Sequence, residues 1–216
     1  MKRGIILFLS VCLTVLIGSN VISAYGKEPE VSQDEIADKL IRFHVLANSD
    51  SEEDQALKLK VRDVVLEYAS PLLKDAKDIN ESREILNKNN DKIINIAKSV
   101  IKENGYSYDV QAALEYENFP VKTYGNITLP SGKYEAYRIL IGNAEGRNWW
   151  CVMFPPLCFV DVTKGDVSKV ETEKEMKTVL TEEEYNSVDN TKSNKGKKND
   201  IKFKFKITEV IDKVLK

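Results

Sequence analysis

Apolar and polar residues follow two rhythms along this chain, one of period 3.6 and one of period two. From Ser51 the residues Leu57, Val61, Val64, Val65 and Tyr68 recur at helical spacing, while Lys58, Lys60, Arg62 and Asp63 face elsewhere. Ser51 stands three residues before Asp54, a variant of the capping box, and acidic residues fill the first turn, where the helix dipole favours them. This predicts an amphipathic helix that ends before Pro71. A second helix is predicted from Asn80 to Asn104, with Gly105 as its stop. After Gly105 the period becomes two. Tyr106, Tyr108, Val110, Ala112, Leu114 and Tyr116 alternate with mostly polar neighbours, as in a strand. Tyr134 to Ile141, Trp149 to Phe154 and Cys158 to Val162 predict further strands, and Asn126 to Leu129 a short one. Upstream, a short helix around Asp34 to Leu40 precedes the strand LIRFHVLA. Helices first, then strands joined by tight turns, give an α+β class. The expected architecture is a mainly antiparallel sheet with two or three helices on one face.

The ends of the chain have a different texture. Lys2 and Arg3 precede an uncharged run from Gly4 to Ile22, with small residues at Ser23, Ala24 and Gly26. Residues 1–26 therefore predict a signal peptide, favoured over a retained N-terminal membrane anchor. Residues 27–35 suit a polar linker, 36–165 the α+β domain, and 166–200 a charged disordered linker with too few apolar residues to fold. Residues 201–216 carry two readings. At period two, Ile201, Phe203, Phe205 and Ile207 oppose lysines. At the helical period, Phe203, Ile207, Val210, Ile211 and Val214 form one stripe, and this amphipathic helix accounts for more residues. Such a segment suits a membrane surface or a docking partner, and folding back onto its own domain is equally open.

Charge and cysteine usage narrow the class. Losing Lys2 and Arg3 with the leader would take the formal net charge from −2 to −4. A nearly balanced surface of this kind argues against nucleic acid as a partner. Outside the leader the cysteines are Cys151 and Cys158. In an exported chain one disulfide between them is the natural pairing. A spacing of seven would part their Cα atoms by roughly 23 Å in a straight strand, so the bond needs a chain reversal, which Pro155-Pro156 can supply. The stretch NWWCVMFPPLCFVD gathers both tryptophans of the chain. Adjacent strand residues point to opposite sides, so Trp149 and Trp150 cannot share one buried face. A core hairpin is the first reading, a core hairpin with an exposed recognition edge the second, and thiol chemistry the third.

Reactive motifs are sparse. His44 alternates with Phe43 and Val45 and reads as a packed or solvated strand histidine. There is no G-x-S-x-G elbow and no phosphate loop. NSDSEED lacks the glycine and terminal glutamate of an EF-hand, and Ser99 to Lys102 gives an isolated S-x-x-K. The sequence asks for no catalysis, cofactor, metal or small-molecule substrate.

FHVLANSDSEEDQALKLKVRD, FPVKTYGN, LPSGKYEAYRILIG and GRNWWCVMFPPLCF together resemble the stage II sporulation protein R family of endospore-forming bacteria, over about Ile41 to Val162. The resemblance implies a protein made in the forespore and exported to the septal intermembrane space. There it would activate a membrane-embedded aspartic protease, which processes pro-sigma E in the mother cell. Trp149, Trp150, Phe154, Asn48 and Asp50 are the expected partner contacts, with the C-terminal stripe as a further docking element. A rival of another class is a cell-envelope enzyme such as a septal peptidoglycan hydrolase.

Overall fold

The computed structural model describes residues 31–159 and 169–191. The leader 1–26 and the segment 201–216 lie outside the described residues. Among those described, no helix is long and apolar enough to cross a membrane.

Among the described residues five α-helices and six strands follow one another as α1 (Gln33–Ala37), β1 (Ile41–Leu46), α2 (Glu52–Leu73), α3 (Ile79–Glu103), β2 (Val110–Phe119), β3 (Lys122–Tyr124), β4 (Ile127–Leu129), β5 (Gly132–Ile141), β6 (Asn148–Phe154), α4 (Lys169–Val179) and α5 (Glu182–Val188). The fold is α+β, as the patterning implies. The main sheet has the order β2-β5-β1-β6, and β3 pairs with β4 in a small separate hairpin. β1 runs parallel to β5 and antiparallel to β6, while β2 and β5 are antiparallel. The sheet is thus mixed, because the first strand is inserted between the last two.

Local chemistry sets the helix limits. Ser51 Oγ accepts from the Asp54 amide, and the first turn holds Glu52, Glu53 and Asp54. Asp78 caps α3 through the amides of Asn80 and Glu81. Gly105, at φ +84°, takes up the left-handed conformation that ends it. Contrary to expectation, α2 runs through Pro71 to Leu73. Pro71 and Glu67, whose carbonyl the ring deprives of a donor, are both exposed, so water can replace the lost bond. Leu73 is buried and holds the last turn down.

The core lies between one sheet face and α2 and α3. Phe43, Val45, Tyr137 and Ile139 join Leu57, Val61 and Val65 of α2 and Leu86, Ile93 and Ala97 of α3 in one cluster. Tyr137 donates its hydroxyl to Asn90 on α3 at 2.8 Å. The second face carries Arg42, His44 and Trp150, with the β3–β4 hairpin against it through Tyr124.

Three further expectations change. Residues Gln33 to Glu35 belong to α1, not to the linker, because Ser32 and Glu35 form a capping box there. Residues 169–191, expected to be disordered, form α4 and α5. Their polar composition hides an apolar set, Met176, Leu180, Tyr185 and Val188, all buried. Thr181 and Glu184 make a second capping box. Lys39 Nζ meets Glu184 at 2.6 Å, and Asn126 donates to the Tyr185 hydroxyl at 2.8 Å. The remainder of 166–200 lies outside the described residues. Finally, Leu157–Phe159 is a 3-10 turn, not the start of another strand. Pro155 and Pro156 lack amide protons to donate to a neighbouring strand, and the Leu157 amide closes on the Pro155 carbonyl at 2.7 Å. The aromatic run is therefore a strand and a turn, not a hairpin.

Candidate functional site

Parallel pairing of β1 and β5 brings their carboxyl ends side by side, and a loop leaves each. Residues 47–51 lead from β1 into α2, and residues 142–147 lead from β5 into β6. The two loops are bound into one corner. Asn48 accepts from the Asn143 amide through Oδ1 at 3.0 Å and donates to Asp54 through Nδ2 at 2.8 Å. Ser49 Oγ donates to the same Asp54 oxygen at 2.6 Å. The amides of Gly146 and Glu145 donate to the carbonyls of Ala47 at 3.0 Å and Asn48 at 3.3 Å. Asp50 Oδ1 accepts from the Arg147 amide at 2.6 Å and lies 3.4 Å from its Nε. Gly146 passes so close that a Cβ there would meet the Ser49 carbonyl. Gly142 combines φ +58° with a similar approach to the Asn48 side chain.

Electrostatics stiffen the corner. Burial alone would raise the Asp54 carboxyl, but hydrogen bonds from Ser49, Asn48 and Tyr108 outweigh it and hold the group below its ordinary range. Lys58, expected on the outer face of α2, is buried instead and bridges Gln55 and the Arg147 carbonyl at 2.9 Å. Its pKa is lowered by burial and by the nearby cations Arg147 and Arg62. Asp50 and Arg147 keep 62% and 71% of their side chains in solvent. The outcome is a rigid loop pair with a charged, open rim.

The tryptophans flank this corner on opposite faces of β6. Trp149 meets Phe43 edge-on at 5.8 Å, and the Arg62 guanidinium lies 4.8 Å over its ring. Trp150 stacks flat on His44 at 4.9 Å and meets Phe119 edge-on at 4.7 Å. Both tryptophans are half-buried, whereas Phe154 is buried, so it cannot form part of an exposed edge. The register shifts between Ile41 and Arg42, which pair with Phe154 and Val152, so Met153 is an extra residue on β6 at that end. Cys151 and Cys158 form a disulfide, with Cα atoms 5.7 Å apart and both residues buried. The crosslink stiffens the interior side of β6 and is not an exposed tip.

Beneath Trp150 lies a buried polar cluster that the sequence pattern does not announce. Arg42 is fully buried. It donates to Tyr124 at 3.0 Å and to the Cys151 carbonyl at 3.3 Å. Its guanidinium lies 4.3 Å over Phe119 and 4.8 Å over Tyr134, so aromatic faces stand where a carboxylate usually would. The only hint in sequence is an arginine in the middle of an apolar strand. His44 Nδ1 bonds to Asn148 at 3.1 Å, and burial pushes its pKa down to about 4, so the ring is neutral at pH 7. Arg42 Nη1, His44 Nε2 and Arg138 Nε are buried without hydrogen-bond partners. Among the described residues no group of three or more His, Cys, Asp or Glu side chains is placed to hold a metal ion. The arrangement is built for shape: packed aromatics under β6 and a braced polar rim at the β1–β5 end. Arg147, Asn143 and Arg62 join the predicted Asn48 and Asp50 there. The glycine spacing of GNAEGR was the signal available for Asn143 and Arg147.

Comparison with known proteins identifies the family. Residues 37–164 match the family model described as Stage II sporulation protein R. The chain belongs to the stage II sporulation protein R family. It is 37% identical over 215 residues to Stage II sporulation protein R of Bacillus subtilis (strain 168), covering 97% of this chain and 94% of that protein. The family match takes in β1 through the Pro155-Pro156 turn, and so includes both loops of the corner and the disulfide. Membership ties the chain to sporulation. No solved structure matches it.

Proposed function

We propose that the chain is an exported signalling ligand of endospore formation. It acts by binding a membrane-embedded aspartic protease and favouring that protease's active state, which leads to processing of pro-sigma E in the mother cell. Family membership supports the sporulation role. The observation that carries the binding reading is the braced corner of residues 47–51 and 142–147. Its backbone is held by side chains from both loops, so little conformational freedom is left to lose on association. Asp50 and Arg147 supply its exposed charges, and Trp149 with Arg62 lies beside them. An activator of this kind must bind the active state better than the inactive one. A tenfold shift needs about 1.4 kcal/mol of difference, within the reach of one or two good contacts.

The test removes the charges without dismantling the loop. Asp50→Asn keeps an acceptor for the Arg147 amide, and Arg147→Ala removes the guanidinium. The double variant, produced in sporulating cells that lack the native protein, should reach normal levels while pro-sigma E processing falls at least about tenfold. Processing at the normal rate would remove the corner as the contact.

A further inference from the structure

Basic residues crowd one side of the corner. Lys58 and Arg62 stand one turn apart on α2, and Arg147 is the last residue of the loop that runs into β6. Lys58 Nζ donates to the Arg147 carbonyl at 2.9 Å. The Arg62 guanidinium lies 4.8 Å over the Trp149 ring, and Asp63 holds its Nε and Nη2 through one oxygen, at 2.7 and 2.6 Å. Burial lowers the Lys58 pKa, the charges of Arg147 and Arg62 lower it further, and Asp50 opposes them. The three cations therefore act on one another across a short distance. Set against Asp50 and Asp63, they leave one positive charge in excess among these five groups.

This excess is local. The chain as a whole has a formal net charge of −2, and the first turn of α2, just upstream, is acidic with Glu52, Glu53 and Asp54. Arg147 is the accessible member of the cluster, with 71% of its side chain in solvent. Asp50 spends Oδ1 on the Arg147 backbone amide at 2.6 Å and stands 3.4 Å from the side-chain Nε, so the pair is loose. A guanidinium fork in that state can take up a second carboxylate. Trp149, two residues on and half-buried, supplies an apolar surface beside it, and tryptophan with arginine is the pairing that most often dominates a protein contact. We infer that the corner takes an acidic peptide segment of its partner, a glutamate or aspartate seated between Arg147 and Arg62 with its methylene group on Trp149. This rests on the binding reading above and adds the chemistry of the partner. The incoming carboxylate relieves a repulsion that the fold holds in place.

Peptide binding to the purified full chain tests this, read by NMR at the Trp149 indole N–H in low salt. The probes are acetyl-Gly-Glu-Glu-Gly-amide and its versions with glutamine or lysine in place of glutamate. The glutamate peptide should bind at least about threefold more tightly than either control, the worth of a close, exposed charge pair. Overall charge alone would favour the lysine peptide, because the chain is net negative. Arg147→Gln should weaken the glutamate peptide about threefold. Asp50→Asn keeps an acceptor for the Arg147 amide and removes the competing carboxylate, so it should tighten the same peptide, whereas damage to the corner would weaken it. Amide signals of β1 report that each variant is folded. Equal binding of the glutamate and glutamine peptides, a preference for lysine, or weaker binding by Asp50→Asn overturns the inference. So does an indole signal that stays unmoved up to roughly 50 mM glutamate peptide. If pro-sigma E processing still falls in the double variant Asp50→Asn, Arg147→Ala, the binding reading stands without this one. A glutamate preference alongside unchanged processing keeps the acidic site and removes the corner as the protease contact.

Discussion

The neutral His44 makes a sharp test of the packing beneath β6. The imidazole is 2% exposed, lies flat against Trp150, and has Arg42 and Arg138 as its cationic neighbours. Burial is the largest cause of its depressed pKa, about 4 against the ordinary 6.5. The unfolded chain therefore takes up a proton between pH 6.5 and about 4 that the folded chain refuses. Stability from this site is fully present above pH 6.5 and is lost as pH falls through that window. For these two values the loss is about 2 kcal/mol at pH 5 and about 3 kcal/mol at pH 4, a large share of the stability of a domain this size. The measurement is urea unfolding at pH 7.5, 6 and 5 for the native chain and for His44→Gln. The glutamine keeps an amide beside Asn148 but cannot titrate, so the carboxylates common to both proteins cancel in the difference. The native chain should lose about 2 kcal/mol more than the variant between pH 7.5 and 5. Equal losses would mean that His44 is protonated in the fold, and the account of a closed, uncharged ring under Trp150 would be wrong.

Other outcomes follow from the same contacts. Replacing Cys151 and Cys158 together by serine should cost about 2 to 2.5 kcal/mol from loop closure alone, read by urea unfolding with and without reductant on the native chain. Asp54→Ala strands the donors of Asn48 and Ser49 and should cost about 1 to 3 kcal/mol, with faster amide exchange across residues 142–147 as its local sign. Tyr185→Ala removes a buried ring and the partner of Asn126, so α4 and α5 should become open to limited proteolysis while the main sheet stays protected.

Much of the fold was legible because its long elements obey simple periods. α3 was readable from its apolar stripe and Gly105, and β5 from YEAYRILI. The mixed sheet was not, since nothing in a strand's own sequence names a partner some ninety residues away. Composition misled over residues 169–191. Few apolar residues suffice when, like Met176, Leu180, Tyr185 and Val188, they all meet one surface. In the site, the opposite orientation of the two tryptophans followed from strand geometry. The burial of Phe154 lies past an irregular end of β6, where Met153 is an extra residue, and the caging of Arg42 depended on rings from β2, β3 and β5, contacts that only tertiary structure creates.

The position of β1 also governs when the molecule can exist. Among the described residues this is the first strand to be synthesised, yet Arg42 must find Ala136 on one side and Val152 on the other. Until the closing strands are available, β1 has neither neighbour, and its row of apolar side chains has no sheet to join. A chain cut short before Asn148 would leave Arg42 without the Cys151 carbonyl and His44 without its stacked indole. Ripening of the tertiary structure is thus deferred to the arrival of β6, and no amino-terminal fragment that stops short of it can complete the sheet.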